Sequence, residues 1–215
     1  QTAAIWIRGH LQDDYGVDLS TLHWVQGAVE RTGSHGTPGL PDLLTPINIR
    51  PAPPDRSLNH MLVAGDIDAV MGLPIPQSLG ADPDIVPLFP DSRAVERDYY
   101  QRTGIHPIMH CIAIRRSVYE QNSWIAQSLY DAYCEAKNWA LNKMRFADVQ
   151  RYMLPWLYGD IDEIDEIFAG DPWPYGVNAN RAAIDTLIRL MAEQGMIARE
   201  MAAEDLFAPV DETRN

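Results

Sequence analysis

The side chains of this sequence best suited to proton transfer and anion binding are two histidines, one arginine and a pair of aromatic residues. His106 and His110 stand four residues apart in Ile105-His-Pro-Ile-Met-His, a segment expected to be extended, so both rings can face one side. An imidazole titrates near neutrality and can donate or accept a proton; the alternative for each is a histidine hydrogen-bonded to backbone. Arg8 lies one turn inside the first expected helix, where a guanidinium can hold a carboxylate through two hydrogen bonds or form an ordinary ion pair. At the start of that helix the N–H groups of Thr2 and Ala3 offer an anion site, unless Thr2 simply caps it. Gly72 and Leu73 end an expected strand, the kind of position where open α/β sheets bind ligands. Trp173 and Tyr175 can stack on or hydrogen-bond an aromatic ligand, or pin the loop that carries them. His10, two residues after Arg8, points to another face of the helix, and His23, His35 and His60 read as structural or exposed.

Several other chemistries are disfavoured. Cys111 and Cys134 form no CxxC or zinc-type spacing, so no disulfide framework or metal cluster is expected, and a reducing cytoplasm is the expected compartment. The acidic run from Asp160 to Glu166 alternates with apolar residues at helical intervals and reads as a solvated amphipathic helix rather than a calcium loop. With 30 acidic and 17 basic side chains the formal charge is −13, a surface that repels nucleic-acid phosphates and anionic lipid. No apolar run approaches the roughly 20 residues that span a bilayer. A few converging cations and N–H groups can still bind a small anion.

The elements that must position these residues follow from periodicity and punctuation. Thr2–Tyr15 reads as a helix stopped by Gly16, and His23–Val29 as a short strand. Residues 31–46 are rich in glycine and proline and read as a surface loop. Ile47–Arg50 reads as a strand and Ser57–Ala64 as a capped helix closed by Gly65, followed by a buried strand at 68–74. Ile85–Phe89 adds a short strand, Arg93–Arg102 a helix and His110–Arg115 a further strand. Helix and strand in alternation predict a parallel sheet with crossover helices. Beyond Ser117 the pattern is almost wholly helical, over 124–144, 149–169 with a break at Pro155, and 178–194. Trp124, Leu129, Tyr133 and Trp139 are expected in the core. These helical faces need a covering sheet, yet one candidate strand accompanies them.

Short segments in order along the chain carry a resemblance. They are Thr-Ala-Ala-Ile-Trp-Ile-Arg-Gly at 2–9, His-Trp-Val-Gln-Gly at 23–27, Phe-Pro-Asp-Ser-Arg-Ala-Val-Glu at 89–96 and Tyr-Tyr-Gln-Arg-Thr-Gly-Ile at 99–105. Pro-Ile-Met-His at 107–110, Trp-Pro-Tyr-Gly-Val at 173–177 and Glu-Asp-Leu-Phe-Ala-Pro at 204–209 complete them. Together they resemble the 4,5-dihydroxyphthalate decarboxylase family. The 33–39 loop and the 74–80 segment depart from its pattern, and His106 stands where an aromatic residue is expected.

The resemblance implies an α/β fold of two lobes, like type 2 periplasmic binding proteins, with a ligand cleft between them. Residues 1–103 would form lobe two, 104–116 the return crossover and 117–215 the helical C-terminal half of lobe one. The first half of lobe one would precede Gln1, so the chain is expected to be a fragment, with apolar faces exposed after residue 116. The implied reaction takes 4,5-dihydroxyphthalate to protocatechuate and CO2, in a pathway of phthalate degradation. His110, at the floor of the cleft, and His106 would be the catalytic residues; Thr2, Ala3, Arg8, Gly72, Leu73, Trp173 and Tyr175 would bind substrate. No cofactor is expected, although a divalent metal on the catechol pair is chemically conceivable. The expected partner is a small anionic aromatic substrate, with a homo-oligomer possible. The competing reading is a non-catalytic solute-binding protein for a small organic anion, because one scaffold hosts both functions.

Overall fold

The computed structural model describes residues 2–32, 44, 47–72, 74–146 and 152–214. Much of the glycine-rich loop, with His35, and also Leu73 lie outside the described residues. Contacts divide the chain into two units, Gln1–Ser92 with Leu187–Glu200, and Arg93–Thr186 with Met201–Asn215.

The first unit begins with α1 (Thr2–Asp13), which buries Ile5, Trp6 and Gly9 along one stripe. Thr2 is its first helical residue rather than its cap. The helix ends as its glycine requires: Gly16 adopts φ 66°, its N–H donates to Gln12 O, and Val17 N–H donates to Leu11 O. A Cβ on Gly9 would land on the Leu190 side chain, so the absent side chain lets α7 (Arg181–Glu193) approach α1 closely. Gln194 Nε2 donates to Ile5 O at 2.9 Å, and Arg189 pairs with Asp13 at 2.7 Å across the same contact.

Two strands, β1 (Trp24–Gln26) and β2 (Ile49–Pro51), pair in parallel with Val25 opposite Arg50. Beyond them lies α2 (Leu58–Val63), capped where the sequence indicates: Ser57 Oγ accepts from His60 N–H at 3.2 Å. Val29, Leu58 and Met61 form a small core against Val25, Ala52, Ile67 and Val70. Among the described residues the expected strands at 68–74, 85–89 and 110–115 do not form. A strand exists only through a neighbour's hydrogen bonds, and the described sheet has two members. Val86, Leu88 and Ile112 are accordingly exposed despite their strand-like composition.

The second unit is helical. It contains α3 (Ser92–Thr103, which begins on the last residue of the first unit), α4 (Arg116–Gln121), α5 (Trp124–Arg145), α6 (Leu157–Phe168), the start of α7 and α8 (Ala203–Leu206). Arg93 and Arg97 of α3 both pair with Glu163 of α6, and Arg93 also with Asp160 at 2.8 Å. The expected aromatic core stripe on α5 is a correction: Trp124 and Trp139 are 65% and 64% exposed, and Tyr133 is also exposed. At 3.6 residues per turn Trp124 and Trp139 project away from the face that carries the buried Ala126, Cys134 and Lys137. Exposed apolar side chains continue through Met153, Leu154, Trp156 and Trp173. No helix among the described residues is long and apolar enough to cross a membrane.

Candidate functional site

In the first unit, Arg8 leans back along α1, as helical side chains do. Its Nε donates to Ala4 O at 3.2 Å, and its guanidinium lies 5.9 Å from the centre of the Trp24 ring on β1. Among the described residues no carboxylate pairs with it. Burial lowers the pKa of the half-buried guanidinium from its usual value, so an approaching anion would relieve a desolvation cost. Thr2 and Ala3 open the same helix, whose first N–H groups have no intrahelical acceptor. Arg8 thus shares a helix with Thr2 and Ala3, and Trp24 gives it a ring platform that the sequence does not announce. His10 is committed elsewhere, to Asp14 at 3.2 Å and to a stack on Trp6.

At the carboxyl ends of the two strands, the start of α2 is already occupied. Leu58 and Asn59 N–H groups donate to Ala28 O and Val29 O, both at 2.9 Å. Glu30 accepts from Gln77 N–H at 2.7 Å and from Asn59 Nδ2 at 3.2 Å, and Ser78 Oγ donates to Asn59 Oδ1 at 2.5 Å. This network ties the loops around that edge to one another. Gly72 is exposed with φ 112° and makes no contact that assigns it to a ligand, while Leu73 lies outside the described residues.

The second unit gathers His106, Trp173 and Tyr175. Gly104, at φ 66°, ends α3, and buried Ile105 anchors the chain, so His106 emerges from a fixed point. Its ring lies 5.5 Å from Phe168 and meets the edge of Trp173 at 6.2 Å, while Tyr100 packs on Phe168 at 4.4 Å. Loss of water around this aromatic seat lowers the pKa of His106 below the ordinary histidine value, against the opposing pull of Glu96. The shift favours the neutral imidazole, the form that has a free nitrogen lone pair for a proton. His110 is exposed, and among the described residues no hydrogen bond holds its ring.

The loop beneath Trp173 is built by a latch. Ala169 and Gly170 turn left-handed, at φ 52° and 90°, and send the chain back along α5. There Lys137, with 6% of its side chain exposed, donates to Asp171 Oδ2 at 2.5 Å and to Trp173 O at 3.4 Å, and lies 4.7 Å from the centre of the Tyr175 ring. Asp171 Oδ1 also accepts from Trp173 N–H at 3.0 Å. Tyr130 OH donates to Tyr175 O at 3.3 Å; burial and its neighbour Cys134 push its pKa up to about 12, so it keeps its proton. Glu212 accepts from Val177 N–H at 2.7 Å and Asn178 N–H at 3.1 Å, closing the far end of the loop. Lysine normally reads as surface; the available signal was the helical spacing of Tyr130, Cys134, Lys137 and Leu141, which sets a cation in the buried stripe.

An open groove of about 730 Å³ runs beside the latch, lined by Asn138, Asn142, Arg145, Asp165 and Asp171 among others. Arg145 is committed to Asp165 at 2.5 Å and to Gly170 O at 2.7 Å, which leaves the groove poorly suited to an anion. Among the described residues no group of three or more His, Cys, Asp or Glu side chains is arranged to hold a metal.

No family model matches the chain. Over 211 residues it is 28% identical to a Comamonas testosteroni protein named 4,5-dihydroxyphthalate decarboxylase, covering 97% of this chain and 63% of that relative. Over 101 residues it is 32% identical to a Pseudomonas putida protein of the same name, covering 46% of this chain and 39% of the relative. The ordered segments quoted above and the match along almost the whole sequence agree: the chain is similar to proteins named 4,5-dihydroxyphthalate decarboxylase and spans less than two thirds of their length.

Proposed function

We propose that the protein of which this chain is the whole or a part decarboxylates a dihydroxylated aromatic dicarboxylate, 4,5-dihydroxyphthalate, to protocatechuate and CO2. The observation that carries the reading is the 28% identity over 97% of the chain to a protein of that name. The half-buried Arg8 and the aromatic seat of His106 supply groups suited to that chemistry.

Each carboxylate of the substrate is para to a phenol. Loss of the phenol proton pushes electron density through the ring onto the carbon bearing the departing carboxylate. A general acid protonates that carbon, the C–C bond breaks, its electron pair restores aromaticity, and CO2 leaves. One proton enters and one CO2 departs, so electrons balance without an oxidant or reductant. His106, whose ring contacts disfavour its charged form, fits the acceptor of the phenol proton, and His110 fits the donor to carbon. In the first unit, taken by itself, Arg8 is a group suited to a carboxylate anion.

The test is incubation of the chain with 4,5-dihydroxyphthalate, following protocatechuate by chromatography, beside His106→Gln and His110→Ala. Turnover that falls at least about a hundredfold in either variant agrees with a proton-transfer role. Saturable binding of the substrate without turnover would move the assignment to a solute-binding protein.

A further inference from the structure

Lys137 is a buried cation with no part in the reaction drawn above. Its ammonium reaches the Asp171 carboxylate, the Trp173 carbonyl and the face of Tyr175. These three belong to one short loop, and the same loop presents Trp173 to His106 at 6.2 Å. We propose that Lys137 is a positioning residue, which holds the 171–176 loop so that the Trp173 ring stays against His106. The role rests on the decarboxylase reading for its purpose, though not for its geometry.

Packing alone does not explain the choice of a lysine. A methionine fills similar space without the cost of desolvating a charge, though it would leave the Asp171 carboxylate without its cation. What methionine lacks is a donor for Asp171 and for the Trp173 carbonyl. The loop cannot hold itself by apolar contact alone, because Trp173 is 55% exposed. His106 meets charge from Glu96 on α3, while Phe168 of α6 and Trp173 of the loop present uncharged rings to it. Releasing the latch would loosen Trp173 and let water reach the face of His106 that it covers, which makes His106 easier to protonate.

The test is a histidine NMR titration of the chain and of Lys137→Met, with the His106 signal assigned by its loss in His106→Gln. Lys137→Met is expected to fold, to bind the His106 proton about threefold more tightly, and to lower kcat for 4,5-dihydroxyphthalate with KM little changed. Lys137→Arg should restore the wild-type titration, and Trp173→Ala should reproduce the Lys137→Met value, with no further shift in the double variant. An unchanged His106 titration in folded Lys137→Met overturns the proposal. If Lys137→Met does not fold, Lys137→Gln is read in its place; failure of both to fold makes the lysine structural and also overturns it. Absence of turnover in every sample, wild type included, would sink the decarboxylase reading, while the titration would still decide the role of Lys137.

Discussion

Arg8 and Lys137 are both helix-borne cations drawn away from water, and their surroundings differ in kind. Lys137 is saturated by the protein itself, with a carboxylate, a carbonyl and a ring around one ammonium. Arg8 has a backbone carbonyl and a tryptophan face, and among the described residues no counter-charge. A cation held by internal partners can organise structure; a cation without a counter-charge among its neighbours can accept one from outside. Burial, taken alone, would have ranked Lys137 as the more functional of the two, and the inventory of partners reverses that order.

The comparison breaks most visibly at Asp171. Asp171→Asn strips Lys137 of its counter-charge in a buried site and should cost about 3 kcal/mol in urea unfolding. A loss under about 0.5 kcal/mol would mean that the latch is not stabilised by its charge.

Arg8→Met should act on the ligand instead. Removing a charge-assisted hydrogen-bonding group is worth about 1.5–3 kcal/mol, or roughly a ten- to hundredfold weaker Kd for 4,5-dihydroxyphthalate by calorimetry. Its unfolding free energy should move by less than about 0.5 kcal/mol, since no internal ion pair is lost. A stability loss equal to that of Asp171→Asn would erase the distinction between the two cations.

Gly176→Ala sharpens the loop side of the comparison. Gly176 sits at φ 111°, and a Cβ there would strike the Glu212 carboxylate that accepts from Val177 N–H and Asn178 N–H. The substitution should cost about 1–3 kcal/mol in unfolding measurements. An alanine that costs nothing would show that the far end of the loop is not held as described.

The smallest effect is a pH dependence. Folded His106 binds a proton less readily than the unfolded chain, whose histidine value is about 6.5. Its contribution is fully present above that value and is lost as pH falls through the lower folded value. His106→Gln should flatten the acid limb of a stability profile measured below about pH 6.5; an unchanged limb would mean that the aromatic seat does not disfavour the charged ring.

Much of the scaffold was legible because its signals are local. Ser57 caps its helix, and Gly16, Gly65 and Gly195 turn left-handed after theirs, as residue type alone indicates. Three expected strands failed because strand formation depends on a partner elsewhere, which composition cannot supply. On α5 helical phase removes Trp124 and Trp139 from the buried face, while Tyr133 shares its phase and is exposed all the same. Arg8 was legible as a cation near a helix start, whereas its isolation from carboxylates needed three dimensions. Lys137 was invisible because lysine is expected in water, and its partners lie 34 to 38 positions away along the chain. His106 was found, but its seat between Phe168 and Trp173 joins segments far apart in sequence.

The most direct test of the central claim is to incubate the chain with 4,5-dihydroxyphthalate in D2O and analyse the product by mass spectrometry. Decarboxylation with protonation of the ring carbon predicts protocatechuate carrying one deuterium, at the position vacated by CO2. Substrate that binds saturably and is recovered unchanged would contradict the assignment and make the chain a receptor for the anion.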